Sequence, residues 1–277
     1  MGPAVHRGTV RPEAVAGTFY PAQPAVLRRG VITYIEQARP PRLPGRPRAV
    51  IAPHAGYIYS GPIAGYSYRV LSSLPPRPRV VYLMGPAHHV PISGVAVGTF
   101  AAFRTPLGEA PVDMEIVEQL LRLGAPFTEN NHAHLPEHCL EVQIPFLQVV
   151  LDGHFRLVPL LFGQVNPQPV ASALEDLLAD DPDALVVVSS DLSHYHPYDT
   201  ARRLDQATLQ AVLRGDLAGA ANGEACGIVP MLTLMFIADQ LGWEPHLLDY
   251  RNSGDTAGDR LQVVGYGAVA YTESATE

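Results

Sequence analysis

Lysine is missing from this sequence, and all 19 positively charged residues are arginine. The absence excludes an enzyme that forms a Schiff base through lysine, and it excludes the phosphate-binding lysine of a P-loop. Positive charge is also in the minority, since 27 Asp and Glu residues bring the net charge to −8. Without a basic patch to neutralise phosphates, we expect no nucleic-acid partner.

Long apolar runs and cysteines are scarce as well. No stretch approaches the roughly 18 to 20 apolar residues that cross a bilayer, and no basic stretch followed by an apolar one opens the chain. We therefore expect a cytoplasmic protein without a membrane partner. The two cysteines, Cys139 and Cys226, argue against a disulfide framework and for a buried thiol or a metal ligand at each position.

Helical and strand patterns alternate along the 277 residues, of which 47% are hydrophobic. This alternation predicts an α/β fold, a three-layer α/β/α sandwich around a mostly parallel sheet, in one domain over 1–277 with an irregular lead-in over 1–22. The predicted strands are 48–52, 79–84, 155–162, 185–190, 244–251 and 262–271. The predicted helices are 26–37, 62–71, 112–123, 167–178, 199–214 and 227–241.

Histidines follow three of the predicted strands directly. His54 follows the first strand, His88 and His89 follow the second, and Asp191 and His194 follow the strand at 185–190. The carboxyl ends of parallel strands meet at one edge of a sheet, so these turns are expected to converge there. Asp191 could orient the ring of His194, as carboxylates do for catalytic histidines. For the Asp191–His194 pair alone, a helix cap and a surface residue is the competing interpretation.

Two further features could complete a site. Cys226 lies just before a predicted helix, whose dipole favours the thiolate, although a small core residue is an equally ordinary role for it. Two imidazoles with a thiolate suit iron, copper or zinc better than magnesium or calcium. His138 and Glu141 lie one helical turn apart and are expected to line the substrate pocket, unless they are only a cap and a solvated pair.

Five motifs in this order resemble the Memo family, and in particular its prokaryotic branch, the AmmeMemoRadiSam system protein B group. The likeness covers nearly the full length of the chain. The motifs are Ala52-Pro53-His54-Ala55-Gly56-Tyr57, Gly85-Pro86-Ala87-His88-His89, Glu137-His138-Cys139-Leu140-Glu141, Ser189-Ser190-Asp191-Leu192-Ser193-His194 and Cys226-Gly227.

The resemblance implies a fold like that of the class III extradiol dioxygenases, which hold Fe(II) with two histidines and a glutamate. By position it makes His54 and His88 metal ligands and His194 the acid/base residue beside Asp191. Cys226 stands in the place of the glutamate, which alters metal preference and redox potential. Tyr57 and His89 are assigned to the substrate pocket together with His138 and Glu141. Radical SAM and AMMECR-type proteins of the same system are the partners that the resemblance implies.

The sequence therefore predicts a metal-dependent redox enzyme that acts with O2 on a small substrate through a His/His/Cys site. Fe(II) is the expected metal, with copper or zinc as alternatives. A non-catalytic metal- or peptide-binding module and a zinc hydrolase are the competing functions. A finer prediction follows: His89 points away from the metal, because neighbours on a tight turn rarely both face one ion. Cys139→Ser should leave metal binding nearly unchanged if that thiol is only a pocket or core residue.

Overall fold

Four parallel strands form the centre of the structure, a computed structural model that describes residues 7–72, 74 and 77–273. Within these ranges the strands are β1 Val10–Arg11, β2 Pro47–Ala52, β3 Val80–Pro86, β4 Val95–Val97, β5 Ala102–Thr105, β6 Gly108–Pro111, β7 Phe127–Glu129, β8 Arg156–Phe162, β9 Leu185–Ser189, β10 His194–His196, β11 Trp243–Asn252 and β12 Val263–Glu273. The α-helices are α1 Pro24–Gln37, α2 Tyr57–Leu71, α3 Met114–Leu123, α4 Asn131–His134, α5 Ile144–Val150, α6 Pro167–Asp180, α7 Tyr198–Leu213, α8 Leu217–Ala221, α9 Ile228–Leu241 and α10 Ser253–Thr256, and Glu141–Gln143 forms a 3₁₀-helix.

The main sheet has the strand order β10-β12-β2-β9-β3-β8-β4-β7, with β11 also paired to β12. Strands β2, β9, β3 and β8 run parallel, whereas β12 and β4 join them in antiparallel orientation. Every residue of β2, β3 and β9 is buried. Burial on both faces explains why these strands are apolar throughout instead of at alternate positions.

Helices cover both faces of this sheet. On one side α1, α2 and α5 pack against one another, and α2 contacts β2 and β12. On the other side α6 and α8 pack against α9, which contacts β3 and β9. The predicted three-layer α/β/α sandwich with a mostly parallel central sheet is confirmed. No helix within the described ranges is long and apolar enough to cross a membrane.

Helix α2 begins five residues before the predicted start, so that Pro62 lies inside it. A proline inside a helix cannot donate to the carbonyl four residues earlier, which here belongs to Ile58. Ile58 is 65% exposed, so water can satisfy that carbonyl. Pro62 therefore lies inside α2 and does not mark its start. The first turn of α2 begins at Tyr57, a few residues after the end of β2.

The N-terminal lead-in is attached to the body by one buried ion pair. Arg11 and Glu141 are both fully buried, and the guanidinium donates to the carboxylate at 2.6 Å. The same carboxylate accepts hydrogen bonds from the backbone N–H groups of Ala14 and Val15 and from the Tyr20 hydroxyl. Arg11 also donates to the carbonyl oxygens of residues 134, 135 and 137. The lead-in thus holds the loop that contains His138.

Candidate metal centre

Three parallel strands deliver polar side chains to one edge of the sheet. His54, His88 and Asp191 each lie two residues beyond the last residue of β2, β3 and β9, respectively. The loop before the 3₁₀-helix brings His138 to the same place. One ligand atom from each of His54, His88 and His138 lies within 4.8 Å of the other two. Such a cluster could hold a metal ion.

The Nδ1 atom of His54 is held by a serine hydroxyl on β9. Ser189 Oγ lies 3.0 Å from this nitrogen, donates its only hydrogen to the Cys139 carbonyl at 2.6 Å, and accepts from Gln143 Nε2. Because the hydroxyl hydrogen is already used, Nδ1 of His54 must donate its own proton to Ser189. The lone pair of the imidazole is then on Nε2, the other ring nitrogen.

Glu137 fixes His88 in the same tautomer. Its carboxylate accepts from His88 Nδ1 at 2.8 Å and from the His88 backbone N–H at 2.6 Å. The backbone N–H groups of His138 and Cys139 also donate to it, and His138 Nδ1 lies 3.2 Å away. Burial alone would raise the pKa of Glu137, but the hydrogen bonds from His88 hold it well below the usual range. Glu137 therefore orients the His88 imidazole through its Nδ1 atom and leaves Nε2 of that ring as the ligand atom.

The charge state of the cluster suits a cation. Burial, followed by the neighbouring His88, lowers the pKa of His54 to about 3. Burial and the neighbouring His54 lower the pKa of His138 to about 3 as well. Both rings are accordingly neutral at physiological pH, and the neutral imidazole is the form that binds metals.

Cys226 contacts the cluster through His54 but belongs to none of the candidate groups of three ligands among the described residues. Its Sγ atom lies 3.3 Å from His54 Nε2. Two ligands of one metal, at usual metal–nitrogen and metal–sulfur bond lengths, are separated by about 3.1 to 3.6 Å, so this distance fits a shared ion. Burial, followed by the charge of Asp191, raises the pKa of Cys226 to about 12, which opposes the thiolate expected at a helix start. Coordination would release the thiol proton.

A cavity of about 700 Å³ opens in front of the three imidazoles, and we name it the histidine cavity. Its wall includes His54, His88 and His138, together with Asp191 and His194. Phe19 from the lead-in lines it too and packs on His138 with ring centroids 4.8 Å apart. A mainly apolar cavity with a few titratable groups in its wall is typical of a small-molecule site.

Asp191 does not orient His194, which corrects the sequence-based interpretation. Its Oδ1 atom instead accepts the His54 backbone N–H at 2.7 Å, and no hydrogen bond joins the Asp191 and His194 side chains in the described part of the chain. Burial raises the pKa of Asp191 to about 6. His194 begins β10 and pairs with Val264 of β12, so its position depends on the sheet edge and not on the aspartate.

Three residues assigned to the substrate pocket lie outside the wall of the histidine cavity. Tyr57 is buried, and its hydroxyl donates to the Val142 carbonyl. The Glu141 carboxylate forms the ion pair with Arg11, so it faces the lead-in and not the cavity. The exposed His89 ring lies 5.8 Å from His138 and belongs to a different candidate group, with Glu137 and His138.

Cys139 is fully buried, and its Sγ donates to the Pro86 carbonyl at 3.1 Å. Burial, followed by the charge of Glu137, raises the pKa of this thiol well above its usual value. Its sulfur lies near His88 and Glu137. Glu137 already accepts several hydrogen bonds there. The surroundings of Cys139 therefore favour a packed thiol rather than a metal ligand.

Comparison with known proteins identifies the family. Residues 11–270 match the family described as Memo-like protein. A MEMO1 family protein of Sulfolobus acidocaldarius is 36% identical over 95% of this chain and 99% of its own length. One from Methanopyrus kandleri is 36% identical over 94% of this chain and 98% of its own.

The chain belongs to the Memo family. A crystal structure of an uncharacterized protein from Escherichia coli K12 has a similar fold, with a TM-score of 0.56 and 17% sequence identity over 81% of this chain and 99% of that one. Within this Memo fold, the sequence analysis underestimated His138, whose imidazole joins those of His54 and His88. It also missed Glu137 and Ser189, although both stand inside the quoted motifs. The sequence did contain one signal for an orienting carboxylate, because Glu137 directly precedes a histidine in a histidine-rich loop.

Proposed function

We propose that the protein is a metal-dependent redox enzyme that acts with O2 on a small chelating substrate. The supporting observation is the arrangement of donors in the wall of the histidine cavity. Nδ1 of His54 and Nδ1 of His88 each face an oxygen acceptor, so the Nε2 atoms of these two rings are available to a metal close to the ring of His138. The Cys226 sulfur lies next to one of them.

His54, His88 and Cys226 would hold the metal, with His138 as a further imidazole ligand. This donor set mixes neutral nitrogen and soft sulfur, which suits iron, copper or zinc. When bound, Fe(II) supplies one-electron redox chemistry and an open position for dioxygen or a chelating group. The family resemblance favours Fe(II) among the three metals.

The protein side chains hold and move protons around this position. Glu137 keeps the Nδ1 proton on His88, and Ser189 does the same for His54, so the ligand tautomers do not change during a reaction cycle. His194 lies in the wall of the same cavity without a hydrogen bond from Asp191. Its imidazole can therefore take a proton from a bound substrate hydroxyl and return it to the product.

Metal analysis of protein purified without oxygen tests the proposal. We expect one Fe(II) per chain, oxygen uptake in the presence of substrate, and strong loss of Fe(II) in Cys226→Ser, because a neutral hydroxyl replaces a thiolate poorly. Cys139→Ser is the matched control and should bind iron normally. Undiminished binding in Cys226→Ser would remove this thiol from the site. Zinc at full occupancy, with hydrolysis and no oxygen uptake, would replace the redox proposal with a hydrolase.

A further inference from the structure

A second cavity, of about 570 Å³, lies beside Cys226, and we name it the thiol cavity. Cys226 is part of its wall but not part of the wall of the histidine cavity, and the two cavities have no lining residue in common. The thiol that touches His54 is therefore reached from a different cavity than the three imidazoles. Small-molecule sites in proteins have volumes of this order.

The two cavities differ in their chemistry. The histidine cavity contains imidazoles and the carboxylates of Asp191 and Asp259. Among the described residues that line the thiol cavity, Cys226 alone can ionise. The wall includes the buried side chains of Ile92 and Phe162. A charged molecule would lose its hydration there without gaining a partner, whereas an apolar one would gain from burial.

Two polar residues, Ser93 and Gln164, also line the thiol cavity. Both are exposed, and a β-bridge joins them. An occupant can therefore place an apolar ring against Val229 and Phe162 and keep a neutral polar group near the amide. We infer that the thiol cavity binds a small, uncharged, mainly apolar molecule in contact with the Cys226 sulfur. This site is additional to the proposed metal centre, and its occupation requires no metal.

Alkylation of Cys226 in the metal-free protein tests the inference. In this reaction the sulfur adds to the maleimide double bond and the proton goes to the neighbouring carbon. N-phenylmaleimide is the probe, its 4-carboxyphenyl analogue is the charged control, and peptide mass analysis distinguishes Cys226 from the buried Cys139. We expect the neutral reagent to react about tenfold faster. Unreactive N-phenylsuccinimide should protect the thiol in a saturable manner.

Matched variants show which cavity the reagent enters. Val229→Phe fills the thiol cavity and should slow the neutral reagent about tenfold and abolish the protection. Gln262→Phe narrows the histidine cavity and should react like the wild type. An unchanged circular dichroism spectrum of Val229→Phe reports an intact fold, and Gln164→Phe, at an exposed residue of the wall, replaces this variant if it does not fold.

Three outcomes would overturn the inference: equal rates for the two reagents, slowing by Gln262→Phe in place of Val229→Phe, or no protection by the succinimide. Each of these is read in protein without metal. Failure of the proposed redox function, seen as absent metal binding or absent oxygen uptake, is therefore distinguishable from failure of the thiol cavity as a binding site.

Discussion

Replacing Glu137 with glutamine tests the orientation of the His88 imidazole most directly. In the native protein one carboxylate oxygen accepts from His88 Nδ1 and from the backbone N–H groups of His138 and Cys139, and the other accepts from the His88 backbone N–H. Glutamine has a single acceptor oxygen. Whichever way its amide is turned, an NH2 group faces an N–H donor. If it faces Nδ1 of His88, that ring is driven to move its proton to Nε2 and loses its ligand lone pair.

We expect Glu137→Gln to bind Zn(II) or Co(II) about 10 to 100 times more weakly, which corresponds to about 1.4 to 2.8 kcal/mol. Competition against a chromophoric chelator, performed without oxygen, measures this difference. Glu109→Gln is the control, because it removes the same charge from an exposed pair with Arg104. An unchanged affinity in folded Glu137→Gln would refute the role of this carboxylate as the orienting group.

Three other perturbations have defined outcomes. His194→Ala should keep the metal and lose about 10² to 10⁴-fold in turnover, and loss of metal would instead make His194 a ligand. Glu141→Gln should lower the free energy of unfolding in urea by about 3 to 5 kcal/mol, since it leaves Arg11 buried without its partner, and an unchanged midpoint would contradict this. Burial lowers the pKa of His134 to about 3, so only the unfolded state takes up a proton as the pH falls from about 6.5. Between about pH 6.5 and 4.5, the free energy of unfolding of the wild type should therefore fall by about 2 to 3 kcal/mol more than that of His134→Gln. Equal decreases in the two proteins would contradict this expectation.

The strand ends were predictable because they depend on local patterns. Continuous apolar runs identified β2, β3 and β9, and the topology of parallel strands then brought His54 and His88 to one edge. Family membership and the layered architecture, both confirmed, were predictable for the same reason. Both depend on motifs and periodicity that are visible along the chain.

The partners of the polar groups were not predictable, because they come from distant segments. Glu137 lies 49 residues from His88, with which it forms its hydrogen bonds, and Asp191 lies 137 residues from the backbone group that it accepts. Helical spacing predicted that His138 and Glu141 share one helix face, but His138 lies before the 3₁₀-helix that Glu141 begins. Spacing also gave no information about Arg11, which is 130 residues from the Glu141 carboxylate. Spacing alone therefore assigned Glu141 to the wrong surroundings.

The buried bonds between Arg11 and the loop at residues 134–141 have a consequence for how the molecule tolerates shortening. A chain that starts at Pro21 would lose every donor that the Glu141 carboxylate uses, and it would lose Phe19 from the wall of the histidine cavity. Such a truncation would leave all the proposed metal ligands in the sequence. It would nevertheless behave as a metal-site variant, since the loop carrying Glu137 and His138 would no longer be anchored. The segment from Arg11 to Tyr20 therefore supports the proposed site, although none of its residues would touch the ion.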